Sequence, residues 1–275
     1  MMLTRLLKTL ARKTQRPEVS IIICSIDDRR FDKVAENYRQ RMGNWPHELV
    51  RVKNAPSLAH GYNRGMERCT GEFLIFSHDD IEILTPDFCA RVLVHLESFD
   101  VVGVAGTSRL LNGHWISAGQ PGIHGQVVEP AQTGEGLTLT VFGPTEQRAR
   151  GDIQALDGLF IAARRRAAEY LRFDDETFDG FHLYDIDFSY RAHLAGLRVG
   201  VCNDILIYHH SFGIATDLWR HYMRVFEEKF RDRLAGAGAP GVRKFYAQER
   251  VGSKAEALAL FQQHLKQCSI AESPH

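Results

Sequence analysis

The sequence predicts an α/β fold built on a largely parallel sheet. Three apolar runs of strand length carry that prediction: residues 19–24, 73–76 and 101–106. Such runs, β-branched and continuous rather than alternating, suit strands buried on both faces. They alternate with stretches of helical period, which is the pattern of β-α-β units.

The elements follow in order. Residues 1–17 hold Arg5, Lys8, Arg12, Lys13 and Arg16 with no acid, and Leu3, Leu6, Leu7 and Leu10 at helical spacing. This is read as a basic leader helix closed by Pro17, either packed or solvated, with peripheral membrane contact as the other reading. Val19–Cys24 is the first strand and Ser25-Ile26-Asp27-Asp28 its polar loop. A helix is expected over residues 31–41, a strand over 48–52, and a helix over 59–69 ended by Gly71. The strand at 73–76 runs into His78-Asp79-Asp80. A helix at 86–96 and the strand at 101–106 come next. Residues 107–150, rich in Gly and containing Trp115, read as an excursion of loops and short antiparallel strands within the same domain. A strand at 155–163 leads into a basic helix near Arg164. Then come a helix at 185–195, short strands at 198–201 and 205–208, and helices at 217–234 and 254–266. The Gly/Ala/Pro run at 236–241 separates the last two.

Composition bounds the function. The chain has 275 residues, 44% hydrophobic and 25% charged, with a formal net charge of zero. That is an ordinary globular profile, and it offers no general electrostatic case for nucleic acid. Five scattered cysteines, Cys24, Cys69, Cys89, Cys202 and Cys268, form no Cys-x-x-Cys pair. They read as reduced thiols of a cytoplasmic protein, at the inner face of the membrane if the leader touches it. No stretch is long and apolar enough to span a bilayer.

Ligands of open α/β sheets bind beyond the carboxyl ends of the strands. Four clusters fall there or nearby: Asp27-Asp28, Asp79-Asp80, the acidic group from Asp179 to Asp187, and His209-His210. Two carboxylates with a histidine make a mixed O/N site for Mn²⁺ or Mg²⁺ that leaves room for a pyrophosphate. Asp79-Asp80 alone would equally cap an element or start a turn. Asp185 and Asp187 suit the first turn of a helix; as chemistry, either is a general base. Phe181, His182 and Tyr184 would form an aromatic, polar-tipped wall for a sugar, and Trp115 either packs or stacks on a ring.

Together these segments resemble a GT-A-fold, family-2-like nucleotide-sugar glycosyltransferase, closest to its bacterial glycosyltransferase-like subgroup. Val19-Ser20-Ile21-Ile22-Ile23-Cys24-Ser25 resembles the opening strand and nucleotide loop. Ala59-His60-Gly61-Tyr62-Asn63-Arg64-Gly65 and Gly71 to Asp80 resemble the helix and strand that lead to that family's Asp-x-Asp motif. Asp157-Gly158-Leu159-Phe160-Ile161 resembles the strand facing donor and acceptor. Phe178 to Asp187 resembles the acidic stretch that supplies the base, and Tyr208-His209-His210-Ser211 the histidine that joins the metal.

The resemblance spans residues 18–212 and implies a catalytic domain over 18–215 with a helical extension over 216–275. It implies transfer of a sugar from a nucleoside diphosphate donor to a glycan or other hydroxyl acceptor, with inversion. The implied roles are Asp80 with His209 or His210 on the metal, and Asp185, or Asp187 in another register, as base. Ser25, Asp27, Asn63, Asp79 and Asp157 lie on the donor side, and Trp115, His182 and Tyr184 on the acceptor side. The chain departs from the pattern at two places: His78 stands where Asp-x-Asp begins, and Tyr184-Asp185 replaces the usual Glu-Asp. No acid pair follows the second strand, where Asn54 is the nearest polar group. Two rival readings are a phosphohydrolase using His78-Asp79, and a catalytically inactive sugar-nucleotide or glycan-binding module.

Overall fold

The structure is a computed structural model that describes residues 19–211, 216–234, 238–242 and 244–271, with the side chains of 267–271 left out. The expected leader over 1–17 lies outside the described residues. A seven-stranded sheet runs in the order β2-β1-β3-β11-β5-β12-β9. Its strands are β1 (Val19–Cys24), β2 (His47–Val52), β3 (Phe73–Ser77), β5 (Val101–Gly103), β9 (Ala149–Arg150), β11 (Phe160–Arg164) and β12 (Val199–Cys202). β1 pairs in parallel with β2 and β3, and β12 with β5, whereas β11 runs antiparallel between β3 and β5 and β9 antiparallel at the edge. Five strands therefore point one way, as the continuous apolar runs predict.

A second sheet is built mostly from the central excursion. It runs β10 (Ala155–Leu156), β6 (Ala105–Thr107), β7 (Ile123–Pro130), β13 (Ile207–His209), β4 (Ile81–Ile83), and β8 (Leu137–Val141) joins β7 to β14 (Ala247–Val251). Two runs read as single strands are divided between the sheets. Residues 101–106 break at Val104, whose carbonyl is met by the left-handed Gly125 of β7 so closely that a Cβ there would sit 2.0 Å away. Residues 155–163 break at a turn in which the Asp157 carboxylate accepts the Leu159 N–H at 3.0 Å.

Helices flank the sheets: α1 (Asp28–Met42), α2 (Leu58–Met66), α3 (Phe88–Ser98), α4 (Arg165–Leu171), α5 (Tyr184–Leu194), α6 (Asp217–Lys229), α7 (Arg231–Leu234) and α8 (Lys254–Ala271). α1 begins earlier than its apolar spacing suggests because Asp27 caps it, accepting the N–H groups of Arg29 and Arg30. α2 lies close on β1 through two glycines. A Cβ on Gly61 would meet Cys24 Sγ at 2.4 Å, and one on Gly65 would meet Ile22 at 2.2 Å.

The region after 216 is not only helical. Its strand β14 alternates half-buried and exposed residues up to the buried Val251, and pairs with β8 over its whole length. Tyr222, Phe226 and Phe230 enter the same core as β1 and β3, while α8 covers the second sheet through Ala257 and Phe261. Among the described residues the four cysteines Cys24, Cys69, Cys89 and Cys202 are free thiols, and no helix is long and apolar enough to cross a membrane.

Candidate active site

β3 delivers His78-Asp79-Asp80 to its carboxyl end, and the start of the antiparallel β11 brings Asp157-Gly158 alongside, with Phe160 opposite Ser77. β13 adds the third piece. Its register sets His209 opposite Ile81, and the His210 N–H donates to the Asp80 carbonyl at 2.9 Å. Three ligand atoms, one each from His78, Asp80 and His209, then lie within 4.8 Å of one another. His209 Nε2 is 3.4 Å and His78 Nδ1 3.9 Å from Asp80 Oδ1. Ser211 donates its hydroxyl to Asp80 Oδ2 at 2.7 Å.

The charges in this cluster are mutually adjusted. Burial would raise the Asp80 carboxyl, but His209, Ser211 and His78 hold it far below the usual carboxylate range. Burial would lower His209, yet the Asp80 carboxylate beside it, helped by Asp157 and Glu129, raises it. His78 is lowered by burial and by His209, against the pull of Asp80, Asp157 and Asp79. Glu129 of β7 stands behind His209, 4.0 Å from its Nδ1, and burial raises its carboxyl.

The acidic stretch presents Asp185 from the first turn of α5. Leu183 before it takes a left-handed backbone, φ +61°, with its side chain packed near Gly113. A leucine in that region stores strain, and here it turns the chain so that Tyr184 and Asp185 face β11. Gly158 is the clearance for both. A Cβ on it would stand 2.5 Å from Tyr184 Oη and 2.7 Å from Asp185 Oδ2. Burial, and next the Asp157 carboxylate, push the Asp185 carboxyl up to about 7, the range in which a general base works at neutral pH.

Other predicted residues have different places. Tyr184 is 3% exposed, too enclosed to line an acceptor wall; its hydroxyl lies 2.7 Å from His78 Nε2. Trp115 is buried too. It packs on Phe142 and donates its indole N–H to Asp157 at 3.0 Å, so it braces a carboxylate and offers no face to a sugar. Asn63 is buried, bonded in both directions to the Phe173 backbone, which is a structural latch and not a donor contact. Asp187 is fully buried, 2.7 Å from Arg191 and 2.5 Å from Lys229 of α6, and so is no free base. The His210 ring is exposed against Tyr208, and the cluster has His78 in its place.

The rest stay at the strand ends. Asp79 faces Arg30 at 3.8 Å. Ser25 donates to the Asp27 carbonyl at 3.0 Å while Asp27 caps α1. His182 is half-buried beside the exposed Phe181. His78 and Glu129 are the residues whose place in the cluster the sequence did not reveal. His78 looked like a lost acid, and nothing local marks Glu129, which reaches the site through the β7–β13 pairing.

The arrangement has known relatives. The fold is similar to that of a mannosyltransferase, PcManGT from Pyrobaculum calidifontis, in complex with GDP-Man and Mn²⁺. The TM-score is 0.52 at 13% identity, covering 94% of this chain and 74% of that one. In sequence, the chain is 24% identical over 227 residues to the "ATP synthase subunits region ORF 6" protein of Fuscovulum blasticum, covering 78% of this chain and 84% of that one. The model of the "Glycosyltransferase like family" matches residues 20–230. With most of its length inside that match and a GT-A fold around the strand-end cluster, the chain belongs to the glycosyltransferase-like family.

Proposed function

We propose that the protein transfers a sugar from a nucleoside diphosphate donor to a hydroxyl acceptor, with inversion, at a site that holds a divalent cation. The observation that carries this reading is the convergence of His78, Asp80 and His209, with Asp185 next in the chain to the Tyr184 whose hydroxyl meets His78. Two imidazole nitrogens and one carboxylate oxygen fit such a cation, and this donor set suits Mn²⁺ better than Mg²⁺. When bound, the cation supplies positive charge for the diphosphate oxygens.

The chain's own residues do the rest. Asp185 takes the proton of the acceptor hydroxyl as its oxygen bonds to the anomeric carbon. The bond from that carbon to the diphosphate oxygen breaks, and the diphosphate leaves with the electron pair. Attack from the face opposite the leaving group inverts the carbon. Asp157, braced by Trp115, keeps Asp185 basic. Ser25, Asp27 and Asp79 border the donor side, and Arg30 beside Asp79 offers a cation to the donor's anionic end. His182 and Phe181 border the acceptor side.

A thermal-shift screen of nucleotide sugars with and without Mn²⁺ tests the reading, since a ligand of the folded state raises apparent stability by mass action. One donor class should raise the melting temperature only with the cation, and Asp80→Ala should erase the effect. No response to any nucleotide sugar would contradict the assignment. Binding with neither transfer nor donor hydrolysis would favour an inactive binding module.

A further inference from the structure

The two positions at which the chain departs from the family's pattern touch each other. His78 stands in place of an acid in Asp-x-Asp, and Tyr184 in place of the acid in Glu-Asp. Tyr184 Oη and His78 Nε2 are 2.7 Å apart. They are distant in sequence and read as two separate losses; in space they are one pair.

We infer that Tyr184 is a positioning residue for the cation: its hydroxyl fixes His78 as the Nε2–H tautomer and leaves Nδ1 as the ligand lone pair. The inference rests on the cation site proposed above. Tyr184 Oη has one proton and two lone pairs; the Gly158 carbonyl stands at 3.3 Å and His78 Nε2 at 2.7 Å, and the Tyr62 hydroxyl is a further hydrogen-bonding neighbour. A carbonyl only accepts, whereas a neutral imidazole nitrogen either donates or accepts. One arrangement satisfies all three groups. Tyr184 donates to Gly158, and His78 Nε2–H donates to Tyr184. The reverse leaves the Gly158 carbonyl without this donor, whereas the first arrangement still leaves Tyr184 a lone pair for the Tyr62 hydroxyl. The surroundings favour satisfaction, because Tyr184 is packed against Tyr62 and Phe173 and an unmet polar group there is costly.

The other ring nitrogen agrees. His78 Nδ1 faces Asp80 Oδ1 at 3.9 Å, beyond hydrogen-bond reach, and Asp80 is already engaged by Ser211 and His209. A proton on Nδ1 would gain no hydrogen-bond partner and would occupy the lone pair that His78 would offer to a cation held with Asp80 and His209. Orientation of a ligating histidine through its second nitrogen is a general device of metal sites. Here the device sits next to Asp185 on α5, so the element that carries the base also sets the ligand.

Ring-¹⁵N NMR of the cation-free protein, with His78 assigned through His78→Gln, tests the tautomer. Nε2 should carry the proton in the wild type, and a protonated Nδ1 would overturn the inference. Titration with Mn²⁺, followed by the electron paramagnetic resonance of the free ion, tests the consequence. Tyr184→Phe keeps the packed ring and should keep the melting temperature within a few degrees. It should bind Mn²⁺ about 10–100-fold more weakly. Equal affinity in a folded Tyr184→Phe would overturn the positioning role and leave the cation site standing. A wild type that binds no Mn²⁺ would overturn both.

Discussion

Asp185 is the proposed base, and its carboxyl is raised to about 7 because desolvation and the neighbouring Asp157 carboxylate both disfavour its charge. Two consequences have opposite signs. For activity, the base works only when deprotonated, so kcat/KM should rise with pH and level off above about 7. Asp157→Asn removes a neighbouring negative charge and should shift that acidic limb to lower pH. For stability, the folded state holds this proton more tightly than the unfolded chain, whose ordinary value is 3.8. Its contribution therefore becomes less favourable as pH rises from about 4 to about 7, and is flat above. Asp185→Asn should lose transfer by about 10²–10⁴-fold, yet melt higher than the wild type at pH 8 in the absence of cation. The gain should shrink as pH falls. Paired pH–rate and pH–melting profiles check both signs; a variant less stable at pH 8 would place the ionised carboxylate in a favourable contact instead.

Glycine and charge pairing do the positioning at the level of elements. Gly158 lets α5 approach the start of β11, and Gly158→Ala would press a methyl group against Tyr184 and Asp185 at 2.5–2.7 Å. Transfer and Mn²⁺ affinity should fall together in that variant, because one shift displaces both the base and the partner of His78. α6 ties down the other side of α5. Lys229 bridges Asp187 and Asp174 at 2.5 and 2.6 Å. Lys229→Met would leave a buried carboxylate short of its cation and should destabilise the protein by about 3–5 kcal/mol in urea unfolding. A loss under 1 kcal/mol would mean that Arg191 alone suffices.

Elements differ in how plainly the sequence announces them. β1 and β3 are unmistakable as apolar runs, and α1 and α2 as periodic stretches whose starts are set by the caps Asp27 and Ser57. β4 and β14 are not. β4 is three residues long and exists through its pairing with β13, and β14 carries Gln248, Glu249 and Arg250, which only a partner strand makes intelligible. The strand divisions at Val104 and at Asp157–Leu159 are likewise invisible in an apolar count. The same limit applies to the site. Asp80, His209 and Asp185 stand at element ends that sequence can place. The roles of His78, Trp115 and Asp187 depend on what lies across from them: a tyrosine, a carboxylate, and a lysine forty-two residues away.

At the scale of the whole molecule, two sheets meet where β3 and β13 end and β11 begins, and each contributes something the other lacks. The first sheet brings Asp80, His78 and the turn before β11; the second brings His209 and Glu129. C-terminal helices close the arrangement by packing into both cores, so truncation after 216 should expose Phe178 and Asp187 and give an unstable protein. Limited proteolysis and the melting profile of residues 1–216 check this. The measurement that bears most directly on the central claim is release of nucleoside diphosphate from a panel of nucleotide sugars in Mn²⁺. It should be run on the wild type, Asp80→Ala and Asp185→Asn, all three shown to be folded. Release from one donor class by the wild type, lost in both variants and abolished by chelation, is the predicted result. Release that is equal in the wild type and in folded Asp185→Asn would contradict the account.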